Sequence, residues 1–456
     1  MMHWISGVLA LLVIVLTGSG AVRCAWRGER ALSVPEWLAW SWLVGTVLVT
    51  VYLALGGIML PAACLVGGGV LMALFSGFLA WRGGASHIAW FPVNGAVWEK
   101  WLVLPLLGGI CWMFVAILGN SLTADGLLIW EFKAHIAFLN GGHLPASLFS
   151  DPSRVSLHPG YPLCIPMVEL WVYLCAGQND QTLVKVIFPM FHLTAVFLLW
   201  GSVARITGRL WAGALVGLAP IFIPELSSQG TLIEGYADYP LGVYYLATVC
   251  AVMPGIGERQ WFLAAISAAA LPWVKQEGIL LWLSAVVVAL VAAGPARWRT
   301  ILWTVFPGGL VAAGWKLAMQ HLHVAPESVF SSINLSTIPQ AVLRIIPVAD
   351  YFGHELADVN SWSLLWIIGA LACIRLCRHG QRGIALIVAT FLPLLFDFVP
   401  YLFTKLDLGW HLETSCARLV LQGSLVALLA IGAVLAPRSL KRAVPPEESA
   451  QPVGET

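Results

Sequence analysis

The sequence predicts an all-α polytopic membrane protein with about 13 transmembrane helices, 12 to 14 at the limits. Three observations predict it. The 456 residues are 59% hydrophobic and only 10% charged, against about 25% charged in soluble domains. Mean hydropathy is +0.84. Apolar runs of roughly 17 residues or more recur along nearly the whole chain, each about the length that a ~30 Å hydrocarbon layer needs at 1.5 Å rise per residue. This composition excludes a disordered chain, a coiled coil and a soluble enzyme. The net charge of +1 offers no electrostatic footprint for nucleic acid, so membrane lipids are the expected surroundings.

In chain order, the runs fall near 4–21, 36–58, 61–81, 101–119, 161–177, 185–204, 210–226, 239–254, 260–275, 278–293, 300–318, 361–376, 383–402 and 418–436. The first lacks a basic leader in front of it and reads as a retained span. Lys and Arg in short loops set orientation. The clusters at Arg23/Arg27/Arg30, Arg82/Lys100, Arg205/Arg209, Arg259, Arg297/Arg299, Arg375/Arg378/Arg382 and Arg438/Lys441/Arg442 hold 16 of the 24 basic residues. They share one side only if one run between 120 and 204 does not cross. The weakest is 161–177, which is short, contains Pro162 and Pro166 and carries Glu169; it is expected to be re-entrant or surface-lying. The threading then has the N-terminus outside and the C-terminus inside. Sixteen of the 23 acids fall outside or at outer ends, among them Asp125, Glu131, Glu234, Asp238, Glu277, Asp397 and Glu413. An enzyme with an extracytoplasmic site has this asymmetry.

Other features add less. Nine cysteines lie scattered, mostly within apolar runs, where Cys acts as a small hydrophobe. Tryptophans such as Trp37, Trp40, Trp101, Trp362 and Trp410 gather near run ends, as an aromatic belt does. No fixed-period repeat is visible, and the Pro/Glu/Ser tail to Thr456 reads as disordered.

The longest polar insertion is the outer loop 120–161. Within it Leu127, Leu128, Phe132, Ile136 and Leu139 follow helical spacing and Gly141–Gly142 can end the helix. This predicts a helix on the membrane surface with Asp125 at its start, either as an N-cap for free backbone N–H groups or as a carboxylate able to accept a proton at the membrane edge. Arg154 and His158 follow in a Pro-punctuated stretch. They suit a phosphate or sugar at headgroup depth and equally suit a solvated loop. Asp238 opens a run, and Lys275 and Glu277 sit at a junction between two runs, where Lys275 can also snorkel to the interface. His411, Glu413 and Arg418 precede the last run.

Asp125 in the first large outer loop is followed in order by KAHIAFLNGG (133–142), HPGYPLCIP (158–166), GYADYPLG (235–242), KQEG (275–278) and WHLETSCAR (410–418). Over roughly residues 100–425 this resembles bacterial membrane glycosyltransferases of the GT-C class, related to the protein O-mannosyltransferases and the lipid A aminoarabinose transferases. The resemblance implies a GT-C-like membrane domain over 101–436, accessory N-terminal spans over 1–100 and a cytoplasmic tail over 437–456. It implies transfer of a sugar from a polyprenyl-phosphate donor to a lipid, glycan or protein acceptor outside the bacterial inner membrane, by inverting single displacement. Asp125 matches the family's catalytic carboxylate by position, and Asp238 the second outer carboxylate. Lys133, Arg154, His158, Lys275, Glu277, Arg344, His411 and Arg418 are the expected substrate-binding residues, with Arg154, Lys275, Arg344 and Arg418 facing the departing phosphate. One departure stands out: Asp125 is followed by Gly126, where the family often has a second acid. No cofactor and no metal ligand set is therefore expected. The alternative is a secondary transporter or flippase for a lipid-linked or acidic solute, with Lys275, Glu277 and Asp397 along its pathway.

Overall fold

A computed structural model describes residues 2–26, 31–82, 88–227, 231–253, 260–293, 298–324, 329–332 and 334–436. The tail 437–456 lies outside the described residues. The chain is almost wholly helical. It begins with α1 (Met2–Ala25), α2 (Val34–Gly56), α3 (Ala62–Arg82), the single turn α4 (Val97–Lys100) and α5 (Val103–Leu118). The segment 120–161 holds a π-helical turn (Gly126–Glu131), α6 (Phe132–Leu139) and α7 (Ala146–Ser150). Then come α8 (Cys164–Ala176), α9 (Gln181–Val184), α10 (Ile187–Thr207), α11 (Leu210–Phe222), α12 (Thr231–Glu234) and α13 (Asp238–Val252). The remainder comprises α14 (Trp261–Val274), α15 (Gly278–Ala293), α16 (Trp298–His321), α17 (Ile338–Ala357), α18 (Val359–Trp362), α19 (Leu365–Leu376), α20 (Gly380–Leu402) and α21 (Leu408–Ala433). The only paired strands among the described residues are the two-residue segments β1 (Leu32–Ser33) and β2 (Ile88–Ala89).

By length and composition, seven helical segments among the described residues can cross a membrane. This supports an integral membrane protein and corrects the expected count of 13. The reason is helix length. The apolar helices α8, α11 and α14 have 13, 13 and 14 residues, a rise of only about 20 Å against a ~30 Å layer. Pro220 and Pro272 sit near the ends of α11 and α14, where a missing N–H interrupts the ladder. The segment 161–177 is not surface-lying: α8 is buried from Cys164 to Tyr173 and packs against α1, α2 and α6.

Small residues set the tightest packing. A Cβ on Gly18 would stand 1.9 Å from the Ser41 carbonyl oxygen, and one on Gly45 1.9 Å from that of Ile14, so α1 and α2 touch backbone to backbone. Ser76 of α3 joins them, donating to Thr17 O at 2.7 Å and accepting from Gly20 N–H at 3.0 Å. The innermost element is α13, buried at every position from Asp238 to Val252. It is wrapped by α10, α14, α15 and α21. Any polar residue at its head is therefore held inside protein. The tryptophans divide: Trp101 and Trp410 are exposed as a belt requires, whereas Trp40 and Trp362 are core residues.

Candidate functional site

Asp238 heads α13 and is completely buried. Its Oδ1 accepts from Lys275 Nζ at 2.8 Å and from Gln422 Nε2 at 3.0 Å. Its Oδ2 accepts from Arg418 Nη2 at 3.2 Å and Nε at 3.4 Å. The chain brings these groups together simply. Helices α13 and α14 form an antiparallel pair, so Asp238 at the start of one meets Lys275 just past the end of the other. Arg418 and Gln422 are four apart on α21 and project from one face. A buried carboxylate needs this many donors, because a charge taken out of water is stable only when paired and hydrogen-bonded.

Arg418 extends the network outward. Its Nη1 donates to Asp125 Oδ2 at 2.7 Å, and its guanidinium lies 4.7 Å over the Tyr236 ring. Thr123 donates to the Tyr236 hydroxyl at 2.9 Å. Asp125 is 32% exposed at the side chain; its Oδ1 has no hydrogen bond among the described residues. Lys275 also pairs with Glu277 Oε1 at 3.3 Å. Glu234, the last residue of α12, has its carboxyl pushed up by burial; Arg418 and a hydrogen bond with Tyr236 pull it down, and Asp125 and Asp238 raise it further.

The N-cap reading of Asp125 is overturned: its backbone is already helical (φ −68°, ψ −36°) and its side chain caps nothing. The turn that follows is π-helical, a local widening common at functional positions. Gly126 has a packing reason, because a Cβ there would stand 2.5 Å from the Glu234 carbonyl oxygen. The two faces of this helical stretch differ. Trp130, Lys133, Ala134 and Ala137 face protein, while Leu128 and Leu139 of the apolar stripe point outward.

The other expected site residues lie elsewhere. Lys133 is buried and donates to the carbonyls of His158 (2.9 Å) and Tyr161 (3.3 Å), tying α6 to the loop ahead of α8. His158 takes a left-handed conformation, φ 46°, with its ring 4.8 Å from Tyr161. Arg154 pairs with Asp151 at 3.4 Å, both partly exposed. Arg344 donates to the carbonyls of Leu402 (3.3 Å) and Thr404 (2.7 Å). His411 contacts Thr404 Oγ1 at 2.9 Å. Gly160 O ties the loop 158–161 to the junction after α14 and to α16, accepting from Gln276 at 3.2 Å and from Trp315 at 2.8 Å.

Beside this junction opens an apolar cavity of about 830 Å³, lined by residues including Val47, Val51, Phe149, Trp273, Val311 and Trp315. Trp273 stands two residues before Lys275, donates to Thr50 Oγ1 at 3.0 Å and meets Trp315 edge to face at 5.8 Å. Helix α2 supplies one wall.

Gln422, Tyr236 and Thr123 were not singled out in the sequence. Gln422 had a signal in its i+4 spacing from Arg418, and Tyr236 in its place within GYADYPLG. Among the described residues no three or more His, Cys, Asp and Glu side chains are arranged to hold a metal ion. Searches against family profiles, curated proteins and solved structures find no match to this chain.

Proposed function

We propose that this protein is a GT-C-type membrane glycosyltransferase, moving a sugar from a polyprenyl-phosphate donor to an acceptor on the extracytoplasmic face of the membrane. The observation that carries the reading is Asp125. It reaches solvent with one oxygen uncommitted, while its other oxygen is oriented by Arg418. A base placed this way takes the acceptor hydroxyl's proton through Oδ1 as the oxygen attacks the anomeric carbon, the bond to the carrier phosphate breaks, and configuration inverts. Asp238 acts in this reading as a positioning residue, since both its oxygens are occupied and none of it is exposed.

Arg418 keeps N–H groups of its planar fork uncommitted and is 22% exposed. It is therefore the cation placed to meet the departing phosphate, with Lys275 behind it. The apolar cavity beside Trp273 offers a place for the carrier's hydrocarbon tail.

A transfer assay in nanodiscs with a panel of polyprenyl-phosphate sugars, comparing wild type with Asp125→Asn, tests this. Wild-type transfer that the Asn variant loses is the expected result; no transfer from any donor sinks the reading. One observation favours the transporter alternative: Asp397 is buried in α20, and its Oδ2 has no partner among the described residues. Solute flux lost in Asp397→Asn, with no sugar transfer by wild type, would select it.

A further inference from the structure

Lys185, between α9 and α10, is 2% exposed and has no carboxylate within ion-pair distance among the described residues. Its ammonium instead donates to three backbone carbonyls: Asn120 O, Ser121 O at 3.3 Å and Ile233 O at 2.8 Å. Asn120 and Ser121 lie just ahead of Asp125, and Ile233 just ahead of Glu234 and Asp238. A buried ammonium without a counter-ion is costly, and no core-packing need explains a Lys where an apolar side chain would fill the same space. What three converging carbonyls from two segments obtain from an ammonium is a fixed separation, since each is a backbone acceptor that burial would otherwise leave unpaired.

We infer that Lys185 is a positioning residue that clamps the Asp125 segment to the Asp238 segment and so sets the geometry at which Arg418 spans the two carboxylates. Two further contacts cross the same seam. Thr123 N–H donates to Glu234 O at 3.2 Å, and Thr123 Oγ1 donates to Tyr236, the ring beneath Arg418. The seam thus runs from Lys185 through Thr123 and Tyr236 to the guanidinium. At one end of the seam the ammonium reaches both segments from outside, as the guanidinium does at the other.

The catalytic consequence rests on the transferase reading; the clamp itself does not. Hydrogen–deuterium exchange on the full-length protein in nanodiscs tests the clamp directly. In Lys185→Met, backbone amides of 118–127 and of 231–238 should both exchange faster while the body of α10 and α13 keeps its protection. Lys185→Arg, whose planar fork suits three converging carbonyls less well than an ammonium, should fall between. Lys185→Gln replaces Met if the Met variant does not fold. Faster exchange in one segment alone, or in neither, overturns the clamp. Where wild type transfers sugar, the same variants should lose kcat on the order of 10²-fold through misplacement, with the donor KM nearly unchanged and partial rescue in Arg. An equal fall in active protein and no kcat–KM split would mean a merely structural lysine. A wild type that transfers nothing leaves the exchange result standing on its own.

Discussion

Arg418 and Asp125 meet at 2.7 Å across 293 residues of chain, and the same guanidinium reaches Asp238 through its other edge. One side chain thus sets the orientation of an exposed carboxylate by holding on to a buried one. The consequences of removing each member differ.

Asp125→Asn preserves size and leaves an oxygen for Arg418. The protein should fold with an unchanged melting temperature, because Asp125 caps no helix. Donor-dependent transfer should drop by roughly 10²-fold or more, the usual contribution of a general base. Initial rates beside a melting curve measure both, and full activity would remove Asp125 from the chemistry.

The Lys275–Asp238 pair is buried on both sides, with side chains 3% and 0% exposed. Lys275→Met leaves Asp238 short of a cation in a fully buried site. Breaking such a pair from one side costs about 3–5 kcal/mol. Denaturant unfolding should show that loss, and Asp238→Asn in the Met background should recover part of it. Equal stability of the single and double variants would argue against the pair.

At Arg418, charge and shape can be separated. Arg418→Lys keeps the cation but loses the fork that spans two carboxylates. We expect turnover in the order wild type, Arg418→Lys, Arg418→Ala, with the donor KM rising along the series. Wild-type kinetics in the Ala variant would make Arg418 an anchor alone.

Glu234 supplies a pH test. Its folded carboxyl is raised above the ordinary value of 4.5, first by burial. A raised carboxyl contributes stability that is present below its unfolded value and is lost as pH rises through the folded one. Glu234→Gln mimics the protonated form, so it should melt higher than wild type at pH 7–8. The gap should close as pH falls below about 4.5. A gap that is constant across pH would contradict the shift.

Orientation is open to labelling. In a background free of native Cys, single cysteines at Ser153, Ser331 and Thr414 should react with an impermeant reagent from outside. Cysteines at Arg209 and Arg378 should react only from inside. Outer reactivity at Arg209 would overturn the threading derived from the basic loops.

Several features of this molecule were readable before any coordinates. Apolar runs pointed to a helical membrane protein because backbone groups in lipid must pair within their own helix. Asp125, Asp238, Lys275, Glu277 and Arg418 all lie at ends of apolar segments, and the structure joins them in one network. The number of crossing helices was not readable. A helix buried by other helices and one facing lipid are equally apolar, so α13 looks like a span in hydropathy alone. Nor was the destination of a long side chain. Lys133 and Arg344 sit in loops or helices that border the site, yet their donors are taken by the carbonyls of a neighbouring turn.

The cluster around Asp238 draws its charges from segments that leave the ribosome far apart in time. When α13 is made, Lys275 is still 37 residues away and Arg418 180 residues away. Until α21 enters the membrane, Asp238 sits at the head of the innermost helix with at most one of its two cationic partners, and Asp125 has none. Closing so long a loop is slow relative to local helix packing. The site is therefore completed by the last described helix to be synthesised, and a nascent chain halted before residue 408 holds Asp238 without Arg418 and Gln422. Such a chain is chemically distinguishable from a finished one, which gives membrane quality control a physical feature by which to separate the two.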